Sequence, residues 1–426
     1  MKMRNLLVGL ACVLGTQAPL LAAPASPTPD LFALRVGRAE TVSQGTIEHA
    51  VILIENGKIV TIGQDLEIER GIRVIDRPDW VVTPGFVNCY SRAGMSSSGG
   101  SGTQPSVQAS TELYPRQPIY GELLAAGVTT LGLYPPGNQI PGQAVVVSTA
   151  GDSLESMVVR EGAYLKVLMQ SNSKSKKTLR DGFGKADKHL EAVTEAREKH
   201  EKAKGKYDDE LKKWKKYDDE EKAKKKEPVD PGDFVEPEPD DVAGAFLDLR
   251  EGELNAMFSI RKAGDYLHLI DALDEEQLSW SLRVPLRNDI DLYEVAEKLG
   301  ADERRVVVEP RLTLMPWTAR ERNIPAELDR AGARVVFIPN GDDLVNQEKW
   351  RHHVGHLVKR GMDPQAALAA MTHEPAVLLG VDETLGSLDV GKEATMLFFD
   401  GDPFQASTSL KAVMHAGDFV EEASAQ

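Results

Sequence analysis

Cysteine is almost missing from this chain of 426 residues: Cys12 and Cys89 are the only two. Cys12 falls in a leader-like start, so the processed chain is expected to keep Cys89 alone and to form no internal disulfide. A small hydrophobe buried on a strand is the reading that suits Cys89 best. No Gly-rich phosphate loop is present, which leaves phosphate chemistry without its usual backbone cradle. Positive charge is also short, with 66 acidic against 50 basic residues and a net charge of −16. That balance disfavours nonspecific binding to nucleic acid or to anionic membranes. Nor is there an apolar run fit to span a membrane, because residues 6–21 are interrupted by Gly, Thr, Gln and Pro. What remains, 41% hydrophobic and 27% charged, is an ordinary soluble composition with length for one large core and something smaller.

The first 25 residues are expected to be a cleavable secretory signal, and the protein to be secreted or periplasmic. Lys2 and Arg4 supply the basic start, residues 6–21 the apolar stretch, and Ala23-Pro24-Ala25 the small residues before a cut at Ser26. Cleavage would leave 48 basic against 66 acidic residues, a net charge of −18. A lipoprotein anchor through Cys12, after Gly9-Leu10-Ala11, is the less favoured alternative, since its apolar stretch is short.

Two apolar runs, 50–55 and 58–63, are joined by Asn56-Gly57, a strong hairpin signal. Next comes Val81-Val82-Thr83-Pro84-Gly85-Phe86-Val87-Asn88-Cys89-Tyr90-Ser91-Arg92, and near the far end Gly386-Ser387-Leu388-Asp389-Val390-Gly391-Lys392-Glu393-Ala394. Between them apolar runs at 128–133, 143–147, 165–168, 256–260, 305–308 and 334–338 alternate with helical stretches. This order resembles the amidohydrolase superfamily, closest to its imidazolonepropionase-like branch. The resemblance implies an α/β fold: a (β/α)8 barrel over residues 84–380, with a small β-sandwich assembled from residues 26–83 and 381–426. A charged insertion over 174–241 stands outside the resemblance.

Within that insertion, residues 185–226 are nearly all Lys, Glu, Asp and Ala, with a narrow stripe formed by Ala196, His200, Ala203, Tyr207, Leu211 and Trp214. One long helix, or a helical hairpin broken near Gly205, is predicted, followed by an acidic extended linker through Pro237 and Pro239. Two roles stay open, a solvated arm or a protein contact anchored by Tyr207 and Trp214.

The resemblance also implies where a metal would sit. Family barrels draw ligands from His-x-His on the first strand, a Lys or Glu on the fourth, one His each on the fifth and sixth, and an Asp on the eighth. Tyr90 and Arg92 stand in the first place, where a guanidinium would repel a metal ion. Lys166 lies near the bridging lysine, and Phe258 and Ile260 replace histidines at the fifth place. The sixth place, taken as residues 306–311, holds no histidine. At the eighth, Asn340 is nearest the aspartate and Asp342 reaches it with a small shift. A metal lowers the pKa of water from about 15.7 to about 7, and no carboxylate alone does that. The prediction is therefore a lost metal, usually zinc, no other cofactor, and a vestigial pocket of Tyr90, Arg92, Lys166, Asn340 and Asp342.

Other chemistry has weaker footing. His352 and His356 share a helical face beside His353, but without the Glu of His-Glu-x-x-His. Ser91, residues 96–98 and Ser259 are serine candidates without a visible base. The Gly- and Ser-rich loop over residues 96–106 reads as flexible. Two functions follow: a non-catalytic binding or structural subunit, or a hydrolase of non-peptide carbon–nitrogen bonds working through a rebuilt site. Its partners would be a second copy or an active amidohydrolase relative, with no nucleic acid and no membrane span after cleavage.

Overall fold

The computed structural model describes residues 30–96, 100–274, 276–287 and 291–422. The expected leader and the Cys12 alternative lie outside them. Asn56 and Gly57, with φ of 49° and 77°, form the turn that joins Ala50–Glu55 to Lys58–Gln64. Two positive φ values match the twist of adjoining strands, which is why Asn-Gly marks such turns. Leu31–Glu40 runs antiparallel to Ala50–Glu55 and parallel to Arg73–Pro84, which pairs antiparallel with Met396–Phe399. With Leu410–His415 and Asp418–Glu422 beyond, the two ends of the chain build one eight-stranded sheet. Alternation along its strands divides the side chains. Met396 and Phe398 pack with Phe32, Leu34, Ile52, Ile54 and Val82, whereas Leu397, Phe399 and Val413 join the main core.

The middle of the chain is mixed α/β. Phe86–Ser91 lies parallel to Val128–Leu133. In a second sheet Leu165–Leu168, Ala256–Ser259, Trp280–Arg283, Arg305–Val308 and Arg334–Phe337 follow one another in parallel. Alternate residues again part company: Phe258, Leu282, Val306, Val308 and Phe337 join the helices in the main core. Val87, Cys89, Met257, Val307 and Val336 meet in a separate inner cluster with Tyr164 and Leu379.

Two expectations change here. Trp280–Arg283 is a strand that the sequence did not announce, so Arg305–Val308 stands one place later in the parallel order than expected. Its four residues are all buried, Ser281 and Arg283 included, which removes the alternation that would betray it. Val145–Ser148 runs antiparallel to Val128–Leu133 and pairs outward with Val158–Arg160. The connection between them is taken up by the short strands Gly137–Ile140 and Gly142–Gln143, which leaves no room for the helical crossover a parallel pair needs.

Ser173–Trp214 is one helix, capped by Asn172 and running unbroken through Gly205. A lone glycine costs a helix about 1 kcal/mol, which its Lys, Glu and Ala neighbours offset. Leu179, Phe183, Ala186 and Val193 are buried along its first half. Phe183 meets Phe246 of Asp241–Glu251 edge-on at 4.8 Å. The acidic linker is not free of the helix: Lys204 pairs with Asp230 at 2.8 Å, His200 meets the Gly232 carbonyl at 3.0 Å, and Arg197 covers the Phe234 ring. The loop expected to be flexible is partly pinned, since Gly100–Thr103 pairs with Gly137–Ile140, while residues 97–99 lie outside the described residues. Among the described residues no helix is long and apolar enough to cross a membrane.

Candidate functional site

The ends of the parallel strands bring one cluster of side chains together. A bulge between Asn88 and Ser91 breaks the register of the first strand and re-aims its last residues. Tyr90 then stacks on Tyr134 with ring centroids 4.0 Å apart. Arg92 reaches the same residue, its guanidinium 5.9 Å from the Tyr134 ring and Nη1 3.4 Å from the Tyr134 carbonyl. Lys166 rises from the strand beneath and places Nζ 3.8 Å from the Tyr134 centroid and 5.6 Å from that of Tyr90. Ser259 meets the Tyr90 hydroxyl at 3.5 Å. Tyr90, Arg92, Tyr134, Ser259 and Asp342 are half-buried, whereas Lys166 and Arg283 are buried, 6% and 7% exposed.

Arg283 closes the far side, 5.5 Å from the Tyr90 ring. Its Nη2 donates to Glu309 Oε1 at 2.5 Å, while the other Glu309 oxygen accepts from the Leu286 amide at 2.9 Å. Burial alone would push the Glu309 carboxyl up, but the charge and hydrogen bond of Arg283, with the Leu286 amide, bring it below the usual carboxylate range. Asp342 goes the other way. Burial raises its carboxyl although Ser91 Oγ donates to it at 2.6 Å and the Arg92 amide and charge oppose the rise. Lys166 has no ion-pair or hydrogen-bond partner among the described residues. Burial, then the charges of Arg92 and Arg283, lower its ammonium from 10.5 to about 7. Cys89, fully buried nearby, has a thiol pushed up to about 12 by burial, which makes it an inert packing residue.

Four of the five sequence-predicted residues thus meet: Tyr90, Arg92 and Lys166 around Tyr134, and Asp342 through Ser91 and the Arg92 backbone. Asn340 does not turn inward; its Oδ1 accepts from Arg311 at 3.4 Å and its Nδ2 contacts His353 Nδ1 at 3.0 Å. With Val145–Ser148 counted as the third strand, Trp280–Arg283 stands sixth, so Arg283 takes the place expected within 306–311, and Glu309 of that stretch is its partner. Tyr134, Arg283 and Glu309 were missed as site residues. Only the adjacency of Glu309 to Pro310 at a strand end hinted at any of them. Of the serine candidates, Ser91 is tied to a carboxylate and Ser259 to a phenol, with no imidazole between.

A divalent ion does not suit this donor set. It needs several lone-pair donors at close range, and here a lysine and two arginines surround an aromatic pair. Glu309 would have to be taken from Arg283, leaving Asp342 as the remaining carboxylate. At an effective dielectric of about 20, one guanidinium about 5 Å away repels a divalent ion by about 7 kcal/mol. His352, His353 and His356 line a separate hollow of about 500 Å³ with Arg311, Glu321 and Asn340. Among the described residues no group of three His, Cys, Asp or Glu is placed to hold a metal ion.

Residues 327–422 match the family model described as the amidohydrolase family. An amidohydrolase from Thermotoga maritima MSB8 superposes with a TM-score of 0.71 and 19% identity, over 92% of this chain and 100% of that one. A prolidase bound to N-methylphosphonate-L-proline gives a TM-score of 0.50 at 14% identity, covering 92% and 100%. A molinate hydrolase gives 0.50 at 15%, covering 92% and 95%. No curated protein matches the chain. At such identities the likeness to solved structures is one of fold, and it agrees with the family match over residues 327–422.

Proposed function

We propose that this chain, amidohydrolase in fold and in the family match of residues 327–422, serves as a non-catalytic binding or structural subunit of the imidazolonepropionase-like branch. In this reading the parallel strands curl into a (β/α)8 barrel, and the shared terminal sheet folds on its inner core as a β-sandwich. The observation that carries it is the cluster of Lys166, Arg92 and Arg283 around the stacked Tyr90 and Tyr134, where the family would hold its metal. The protein would be exported by the leader at residues 1–25 and would pair with itself or with an active relative.

Metal analysis of the purified processed protein, before and after incubation with zinc, tests the reading. The expected result is far less than one equivalent of zinc in either state; near-stoichiometric zinc inside the pocket refutes it. Cell fractionation tests export, with the protein expected outside the cytoplasm.

One observation favours the alternative of a rebuilt hydrolase acting on non-peptide carbon–nitrogen bonds. Asp342, its carboxyl raised by burial, sits against Ser91 and beside Arg92, and an arginine can stabilise developing negative charge as an ion would. Lactams, cyclic ureas and N-acyl amino acids are the compounds to screen. Any activity that survives both Arg92→Ala and Asp342→Asn arises elsewhere and removes this site.

A further inference from the structure

We propose that the hollow lined by Arg311, Asn340, His352, His353 and His356 binds a compact oxyanion, either phosphate or the head of a small phosphomonoester. It shares no residue with the inner cluster around Tyr134. The hollow has a volume of about 500 Å³ and opens to solvent, with Arg311, His352 and His356 exposed. One acid, Glu321, lines it as well, and Arg360 already pairs with that carboxylate at 3.3 Å. Arg311 donates to two neutral acceptors, the Leu286 carbonyl and Asn340 Oδ1, each at 3.4 Å. It has no carboxylate partner among the described residues, and neutral carbonyls do not cancel its charge.

The hydrogen bonds decide between an anion and a metal ion. A guanidinium carries only donors, so the Asn340 atom beside Arg311 must be its oxygen. The amide nitrogen then faces His353 and donates to Nδ1 at 3.0 Å, which leaves the ring proton on Nε2. In the same way Arg351 Nη2 donates to His352 Nε2 at 3.3 Å and leaves the proton on Nδ1. Both imidazoles have their lone pair taken and an N–H to offer. That suits an anion rich in acceptors and disfavours a metal, which needs the lone pair. Burial, then Arg351 at His352 and Lys349 and Arg311 at His353, hold both rings below the ordinary imidazole value. At neutral pH these donors are therefore uncharged, and Arg311 and Lys349 supply the positive charge. Several donors around one space match the oxygens of a tetrahedral phosphate, and guanidinium bonds to phosphate are of the strong, charge-assisted kind. Pro310 and Leu312 add an apolar wall for an organic substituent.

The test is a calorimetric titration of the whole processed protein at low ionic strength with inorganic phosphate, O-phosphoserine and acetate. One equivalent of phosphate is expected to bind at least tenfold more tightly than acetate, and to weaken as salt is added. Arg311→Met should weaken phosphate at least tenfold, and Arg311→Lys, which keeps the charge and loses the fork, by less. Tighter binding of O-phosphoserine than of phosphate assigns the ester, and the reverse assigns the free ion. Imidazole nitrogen-15 spectra of the unaltered protein give a reading that no variant's folding can blur. His353 should show the Nε2–H form and His352 the Nδ1–H form, and both signals should shift with phosphate. The proposal is overturned if phosphate does not bind, binds no better than acetate, or binds Arg311→Met as well as the parent. One equivalent of zinc held by these histidines would overturn it too. Loss of that zinc in the His352→Gln, His356→Gln double variant would place it here, outside the inner cluster, so this inference and the proposed function fail separately.

Discussion

At the scale of single residues, the pocket holds two buried charges with opposite consequences. Arg283 and Glu309 satisfy each other, so deleting one member strands the other. Arg283→Met is expected to destabilise the protein by about 3 kcal/mol or more, whereas the double replacement with Glu309→Leu should recover most of the loss. Urea midpoints of Arg283→Met, Glu309→Leu, the double variant and the parent decide the matter. The depressed carboxyl of Glu309 contributes stability above the ordinary glutamate value, and that contribution fades as pH falls toward the folded value. Lys166 is the reverse case. Its folded value near 7 lies below the ordinary 10.5, so the unfolded chain holds the extra proton throughout that window. Stability should therefore rise between pH 7 and 10.5, by up to about 1.4 kcal/mol per pH unit. Lys166→Met should abolish the slope and be the more stable protein at mildly acidic pH. Urea titrations on either side of neutrality measure this, and an unchanged slope in the variant counts against the assignment. Tyr90 and Arg92 were legible because one motif, read against its family, marks the strand end that carries them, and Lys166 because the apolar run 165–168 was read as the fourth strand. Arg283 was not, because a guanidinium in a fully buried four-residue strand defies both polarity and period.

Among the elements, the long helix divides into a packed half and a projecting half. Where Gly182 passes Phe246, an added Cβ would lie 2.1 Å from the ring Cζ. Gly182→Val should then force the two helices apart and cost about 1–3 kcal/mol, visible as a lower urea midpoint with unchanged helix content. The outer part makes no such contact with the core. His200 and the Gly232 carbonyl are 3.0 Å apart, so residues 203–231 can be excised and bridged by a short Gly-Ser link. The ion pairs lost, such as Lys204 with Asp230, are exposed and contribute little. Stability is expected to stay within about 0.5 kcal/mol of the parent; a larger fall in the midpoint would show that the tip supports the core. The helix was readable from composition because propensity alone decides an exposed arm. The extended linker was read from its prolines too, but not its return path, which depends on side-chain pairing between segments far apart along the chain.

For the whole molecule, the decisive feature is that neither terminus can complete the eight-stranded sheet alone. Phe398, 1% exposed, sits opposite Val82 across the seam between the two ends. Its ring lies 5.6 Å from Trp80 and 5.4 Å from Phe419. Joining strands so distant in sequence costs loop-closure entropy that grows only slowly with length, and burial across the seam must offset it. The other face of the same strand, through Leu397 and Phe399, belongs to the main core, so the sheet and the parallel strands are coupled back to back. Phe398→Ala should cost about 3–5 kcal/mol and shift a single transition in which Trp80 fluorescence and far-ultraviolet circular dichroism coincide. If the fluorescence change alone moved to lower urea, the terminal sheet would be an independent folding unit, and the back-to-back coupling argued from Leu397 and Phe399 would be wrong.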